Sequence, residues 1–395
     1  MSLARSVTGQ LERASWIRRM FEEGARLKAE RGAENIFDFT LGNPDVDPPA
    51  EVLAALERLA GEHPPRIHAY MQNAGFPAAR VAVAEHLAGK TGLPFTAQHV
   101  LMAVGSAGAS NAYLRSVLDP GDEVIVLMPC FSEYPFYIQN HAGRMVPVET
   151  DEDFLPNLGR IAEAITPRTK VIILNTPNNP TGRIYPEALL RDLGSLIDGL
   201  DHPVTVLSDE PYTPLVFDGR THPEVVSLIR RTVIANSWSK TFAIPGERIG
   251  YLAISPRLPE AGPLADACTF ATRALGYVNA PALWQRVVTE TIAVRPDISS
   301  YQERRDRMHE GLTRLGYGVP RAEGTFYLFP KSPVADDVAF IWLLLEEGVL
   351  AVPGSEFGRS GYFRLALTVP NDVIDRSLPA FERALERSRA RSPSD

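Results

Sequence analysis

Ser237-Trp238-Ser239-Lys240 sets two hydroxyls and one amine side by side, and eight residues after the lysine comes Arg248, in Gly246-Glu247-Arg248-Ile249-Gly250. The run before them, Thr232 to Asn236, is apolar and β-rich, so the lysine stands just past the end of a predicted buried strand. An amine there can form a Schiff base with a carbonyl compound, and a serine and an arginine beside it can hold a phosphate. Alone, the same motif reads as a solvated strand cap. Its chemistry depends on partners elsewhere in the chain.

Those partners lie upstream. Residues 170–175 predict a buried strand that runs into Asn178-Asn179-Pro180-Thr181-Gly182. In that turn the proline confines Asn179 to extended geometry and presents its amide at the strand end. A strand over 204–208 closes in Asp209-Glu210-Pro211-Tyr212. A carboxylate ending an apolar strand is costly unless a cation or several donors meet it. A protonated pyridine nitrogen would be such a cation, and Tyr212 and Asn179 could reach a ring hydroxyl. Each residue alone has a plain reading as turn, helix cap or strand cap. Together they are the set that pyridoxal phosphate (PLP) requires: an amine for its aldehyde carbon, an anion site for its phosphate and an acid for its ring nitrogen.

The elements that must position these groups follow from the pattern around them. Apolar runs at 100–104, 123–127, 170–175, 204–209, 232–237 and 250–255 alternate with helical stretches such as 110–118 and 187–200, which predicts a mostly parallel sheet covered by helices. A helix over 11–31 carries Trp16, Ile17, Met20, Phe21 and Leu27 on one side, and another covers 301–315. Strands at 324–329 and 362–367 belong to a smaller α+β domain. The expected division is 1–45 as an N-terminal arm, 46–295 as the large domain and 296–395 as the small one, with only the last few residues disordered. A chain of 395 residues suits two domains with a sizeable core. Its 45% hydrophobic and 22% charged content is ordinary for a soluble protein, and a net charge of −8 with scattered basic residues gives no nucleic-acid surface. Cys130 and Cys268 are too few for a disulfide framework or a metal site. Arginines at 13, 18 and 19 interrupt any signal-peptide pattern, and no segment approaches the roughly 20 apolar residues of a membrane span. These features lead us to expect a cytoplasmic enzyme.

Asn179-Pro180-Thr181-Gly182, Asp209-Glu210-Pro211-Tyr212, Ser237-Trp238-Ser239-Lys240 and Arg248-Ile249-Gly250-Tyr251 together resemble the class I/II aminotransferases of PLP fold type I, in the aspartate-aminotransferase-like branch. The resemblance runs from Leu41-Gly42-Asn43-Pro44-Asp45 to Phe363-Arg364-Leu365-Ala366-Leu367. It implies a seven-stranded sheet, PLP on Lys240, Asp209 on the pyridine nitrogen and Tyr212 on the ring. It also implies a homodimer in which Tyr70 completes the neighbouring subunit's phosphate site. Gly105-Ser106-Ala107-Gly108 ahead of a helix already reads as an anion site, and the resemblance assigns the backbone of Ser106 and Ala107 to the phosphate, with Ser237 and Arg248. Phe131 falls where the family stacks a ring on the cofactor. Arg364, inside an apolar strand, needs a carboxylate or a structural salt bridge. The resemblance makes it the grip for the substrate's α-carboxylate, with Gly42 and Asn43 closing over it and Asn179 below.

The implied activity moves an amino group between an L-amino acid, aspartate- or glutamate-like by preference, and a 2-oxo acid. In it Lys240 serves as Schiff-base partner and proton carrier. Arg66, Arg183 and Arg273 are candidates for reading a second carboxylate. Glu247, where the family more often has an apolar residue, is a departure. A PLP decarboxylase, β-lyase or cyclising synthase would share every cofactor residue. A PLP-fold regulator lacks its basic N-terminal module here, and a nicotinamide dehydrogenase lacks its glycine fingerprint and leaves Lys240 without a role.

Overall fold

Residues 3–13, 15–63 and 65–391 are described by the computed structural model. The first strand, β1 (Phe37–Asp38), precedes a run of seven: β2 (Val100–Ala103), β3 (Glu123–Met128), β4 (Arg144–Glu149), β5 (Thr169–Asn175), β6 (Thr205–Asp209), β7 (Thr232–Ser237) and β8 (Gly250–Ile254). These seven form one sheet in the order β2-β8-β7-β6-β5-β3-β4. Only β8 runs against its neighbours, pairing antiparallel with β2 and β7. The inner strands are near-continuous apolar runs because helices cover both faces of the sheet. Six of the seven match the runs expected from the sequence to within a residue at each end. The seventh, β4, was absent from that expectation. It contains Pro147 and mixed polarity, which an edge strand tolerates because one side of its ladder is unused.

Strands β5 and β6 end level with one another, with Asn175 opposite Asp209, while Asp209 pairs with Ala235 on β7, two residues before Ser237. The parallel register therefore lines up Asn175, Asp209 and Ser237 along one edge. That edge, at the carboxyl ends of the strands, is where open α/β sheets bind ligands.

Four short strands follow: β9 (Tyr327–Leu328), β10 (Val349–Leu350), β11 (Val352–Pro353) and β12 (Phe363–Ala366). Strands β11, β12 and β9 form an antiparallel sheet, and β1 pairs with β10. One apolar cluster joins Leu27, Ile36 and Phe39 to Leu312, Phe340, Leu365 and Phe381, so the N-terminal segment packs with the C-terminal part. In the helix Ser15–Arg31, Gly24 lies flat against Leu350, where a Cβ would come within 2.6 Å of Cδ1, and Arg31 donates to the carbonyl of Glu346. Leu27 is buried as expected of the apolar side, while the side chains of Trp16, Ile17, Met20 and Phe21 lie outside the described residues. So do the last four residues, where disorder was expected.

The expected helices appear as Glu187–Asp198 and Ser299–Leu315, and the one expected over 110–118 begins earlier, as Gly105–Val117. The run Gly105-Ser106-Ala107-Gly108 is thus the first turn of that helix and not a loop before it. Arg304 of the long helix, itself nearly buried, pairs with Asp45 at 2.6 Å and ties the 41–45 segment to that helix.

Candidate active site

A cavity of about 410 Å³ opens over the level ends of β5, β6 and β7, roofed by residues from the 41–45 segment and the small sheet. Of the residues expected in a site, Gly42, Ser106, Ala107, Phe131, Asn179, Asp209, Tyr212, Ser237, Lys240, Arg248 and Arg364 all line it. Segments more than 300 residues apart in the chain meet there.

Lys240 stands on a single helical turn, Trp238–Thr241, whose N-terminal cap is the Ser237 hydroxyl accepting from the Ser239 amide. Its Nζ donates to the carbonyl of Gly42 at 2.6 Å and lies 5.5 Å from the centre of the Phe326 ring. Burial, with Arg364 and Arg248 adding repulsion, pulls the amine down to about 8. A lysine so placed has a far larger neutral fraction near pH 7 than an ordinary lysine, which suits it to nucleophilic attack and proton transfer.

Asp209 ends β6 and is buried. One carboxylate oxygen accepts from Tyr134 at 2.7 Å, while the other, Oδ1, is buried without a hydrogen-bond partner. Burial pushes the group up to about 6, with the hydroxyls of Tyr134 and Ser106 opposing. An unsatisfied buried carboxylate oxygen costs about 1–3 kcal/mol, so the site is built for a donor that the chain does not supply. Asn175 secures the strand end: its amide donates to the Asp209 carbonyl, and its Oδ1 accepts the Asn179 backbone N–H at 2.7 Å.

Arg364 projects from β12 and is 5% exposed. Its guanidinium lies between the rings of Tyr327 and Phe357, 4.5 and 4.7 Å from their centres, and donates to Asn179 Oδ1 and the Thr40 carbonyl. Its Nε has no partner, and no carboxylate pairs with it among the described residues. Burying an arginine without an acid is costly, and the natural compensation is a bidentate carboxylate from outside. Tyr212, held protonated by burial and by Tyr327, sits with its hydroxyl 3.3 Å from that of Tyr327.

The opposite end of the cavity is cationic. Arg248, in left-handed geometry after a 3₁₀ turn, donates to the carbonyls of Pro245 and Val104. Gly105, at φ 78°, lets it approach: a Cβ there would come within 2.7 Å of its Nη2. Ser106, Ala107 and the start of the helix Gly105–Val117 complete a corner of backbone N–H groups beside a guanidinium, an arrangement suited to a phosphate. Glu247 points to solvent.

Other expected residues stand apart from this cavity. Asn43 is exposed and does not line it; Tyr70 is 87% exposed and also lies outside it. Arg66 and Arg273 are exposed, and Arg183 is paired with Glu323 at 3.4 Å and Asp153 at 3.8 Å. Beyond Lys240, Arg248 and Arg364 the lining holds no basic side chain. Sequence reasoning passed over Tyr134, Asn175 and Tyr327. Tyr134 is six residues past the end of a strand and reads as core; only a search for donors to Asp209 would have singled it out. Asn175 was legible as the polar end of an apolar strand.

Comparisons with known proteins give the family. Residues 34–381 match the family of class I and II aminotransferases. The aspartate/prephenate aminotransferase of Thermus thermophilus is 34% identical over 92% of this chain and 94% of its own, and a probable aspartate aminotransferase of Methanocaldococcus jannaschii 29% over 88% and 92%. Among solved structures, an aminotransferase from Eubacterium rectale superposes with a TM-score of 0.94 at 34% identity, covering 98% of this chain and 99% of its own. The Thermus thermophilus aspartate aminotransferase with maleate superposes at 0.85 with 30% identity, covering 98% and 100%. The chain therefore belongs to the class I and II aminotransferases and is a PLP-dependent enzyme that transfers an amino group between an amino acid and a 2-oxo acid.

Proposed function

We propose that Lys240 is the covalent anchor for PLP and the proton carrier of the reaction, and that Arg364 reads the α-carboxylate of both substrates. The observation that carries this reading is the pairing, in one cavity, of a buried guanidinium without an acid and a buried carboxylate oxygen without a donor. PLP fits both gaps. Its pyridine nitrogen would donate to Asp209 Oδ1, its ring hydroxyl would meet Tyr212 and Asn179, and its phosphate would lie among Ser106, Ala107, Ser237 and Arg248. Phe131 would cover the ring.

When bound, PLP supplies an electron sink that stabilises negative charge at the substrate Cα. Asp209, braced by Tyr134, keeps the ring nitrogen protonated, so the sink stays deep. Arg364 and Asn179 orient the carboxylate, leaving the Cα–H bond as the one to break. Lys240 Nζ takes that proton. Its lowered basicity lets it release the proton again within the cycle. Water would release the oxo acid while the amino group stays with the cofactor, and a second oxo acid would take that group up by the same steps in reverse.

An aspartate-like donor has its support in the relatives, an aspartate/prephenate aminotransferase and a probable aspartate aminotransferase. A reader for its second carboxylate would then come from Arg66 or Arg273 across a dimer interface, since the chain's own cavity lining offers no further cation. Exposed Tyr70 supports the same homodimer. The apolar clusters support the large domain as 46–295 and a small domain that includes the N-terminal arm. No described helix is long and apolar enough to cross a membrane. A cytoplasmic location is part of the proposal.

Borohydride treatment of the PLP-loaded protein tests the anchor. The visible band should disappear and the label should map to Lys240; a label on another lysine would overturn the assignment.

A further inference from the structure

The small sheet brings into the site one residue that touches both Arg364 and Tyr212. Tyr327 is 4% exposed and lies on β9, paired with Ala366 of β12. Its ring lies 4.5 Å from the Arg364 guanidinium and 5.8 Å, edge on, from the ring of Tyr212. Its hydroxyl is 3.3 Å from that of Tyr212. The same hydroxyl rests on Gly42, where a Cβ would lie only 1.8 Å from it, and the Gly42 carbonyl accepts from Lys240. Phe326, next to it, packs 4.9 Å away and supports the Lys240 amine from below.

We infer that Tyr327 is a positioning residue with two separable tasks: its ring holds Arg364 for the substrate carboxylate, and its hydroxyl directs the proton of Tyr212 toward the cavity. The inference rests on the role proposed above for Arg364. The first task follows from the sandwich. A guanidinium with no acid partner is held in its plane by Tyr327 and Phe357, and an electron-rich phenol face attracts a cation that is otherwise poorly solvated. The second follows from counting protons. Each hydroxyl of the pair carries one, and the two oxygens share a single hydrogen bond. If Tyr327 donates, the proton of Tyr212 is free to serve an oxygen in the cavity. If Tyr212 donates, it serves none. Gly42 against the Tyr327 hydroxyl leaves no other protein partner for that proton among the described residues.

Two substitutions separate the tasks. Tyr327→Phe keeps the ring and removes the hydroxyl; Tyr327→Leu removes both. Three quantities are measured on the PLP-loaded enzyme: the dissociation constant for maleate by calorimetry, the kcat and KM of the amino-donor half-reaction, and the pH at which the visible band changes. For Tyr327→Leu the maleate constant and the KM should rise about 5- to 10-fold, the loss expected of a desolvated cation–π contact. Tyr327→Phe should restore most of that affinity. Both variants should move the pH midpoint up by about half a unit, because a weaker donor at Tyr212 leaves the ring oxygen more basic.

Equal maleate affinity in wild type and Tyr327→Leu, with Arg364→Ala much weaker, would overturn this inference alone. Unchanged affinity in Arg364→Ala as well would overturn the reading of the site. If both variants lose thermal stability in parallel with no split between affinity and pH midpoint, Tyr327 is only core, and the inference falls.

Discussion

At the scale of single residues, the site consists of charges held away from their ordinary solution behaviour. Lys240 is the clearest case. Its amine is drawn from 10.5 to about 8 by burial and by Arg364 and Arg248. A depressed lysine costs stability in full below its folded value, and the cost fades as pH rises from about 8 toward the unfolded value. The cofactor-free Lys240→Met protein should therefore melt higher than wild type at pH 7, with the gap closing by pH 10; thermal scans across that range check the sign. The same substitution should leave no measurable transamination, since anchor and proton carrier are lost together. Asp209 behaves in the opposite sense. Raised to about 6, it is comfortable protonated and strained when ionised, until a cation arrives. Asp209→Asn should cost roughly a hundred-fold or more in the half-reaction, because a preorganised charge is removed from where charge develops. Single-turnover absorbance with an amino acid measures it, and an unchanged rate would refute the role.

At the scale of elements, position comes from strand ends and glycines. The register of β5, β6 and β7 delivers Asn175, Asp209 and Ser237 to one edge, and two glycines let distant segments close on them. Gly42→Ala would drive a methyl into the Tyr327 hydroxyl and toward Phe326, both buried, with Tyr327 fixed on β9. The 41–45 segment must lift instead. KM for amino and oxo acids should then rise more than ten-fold, a change of about 1.4 kcal/mol, with the melting temperature only slightly lowered, and steady-state kinetics with a thermal scan test it. The strand ends were legible because each is an apolar run closed by one or two polar residues, and one such run ended in a carboxylate costly to bury without a partner. Helix Gly105–Val117 was misjudged at its start, because Gly-Ser-Ala-Gly reads as a loop until Arg248 is seen to need the glycine. Edge strand β4 escaped notice through Pro147. Tyr134 and Tyr327 were unreadable as site residues because an aromatic in an apolar run is ordinary core; only the tertiary partner, an acid in one case and a cation in the other, distinguishes them. Arg364 could be read, since a charge inside an apolar strand demands a reason.

At the scale of the whole molecule, the described chain builds most of a site and leaves two functions without a residue. Nothing basic in the cavity remains for a second substrate carboxylate, and Tyr70 stands 87% exposed, outside the cavity of its own chain. Both gaps close if two chains pair about a two-fold axis and each lends Tyr70 to the other's phosphate corner and Arg66 or Arg273 to its substrate end, giving two composite sites per dimer. Tyr70→Ala should then weaken PLP retention without unfolding the protein, because a side chain so exposed contributes little to the core of its own chain. Lys240→Ala damages the other half of a composite site. A purified heterodimer of the two variants places both lesions in one site and leaves its second site intact. Its activity at limiting PLP should approach half that of wild type, well above either parent homodimer. The measurement is turnover of differently tagged, separately purified dimers, beside their sedimentation. A heterodimer no more active than its parents would mean that Tyr70 serves its own chain or no site at all, and a fully active monomer would remove the composite site altogether.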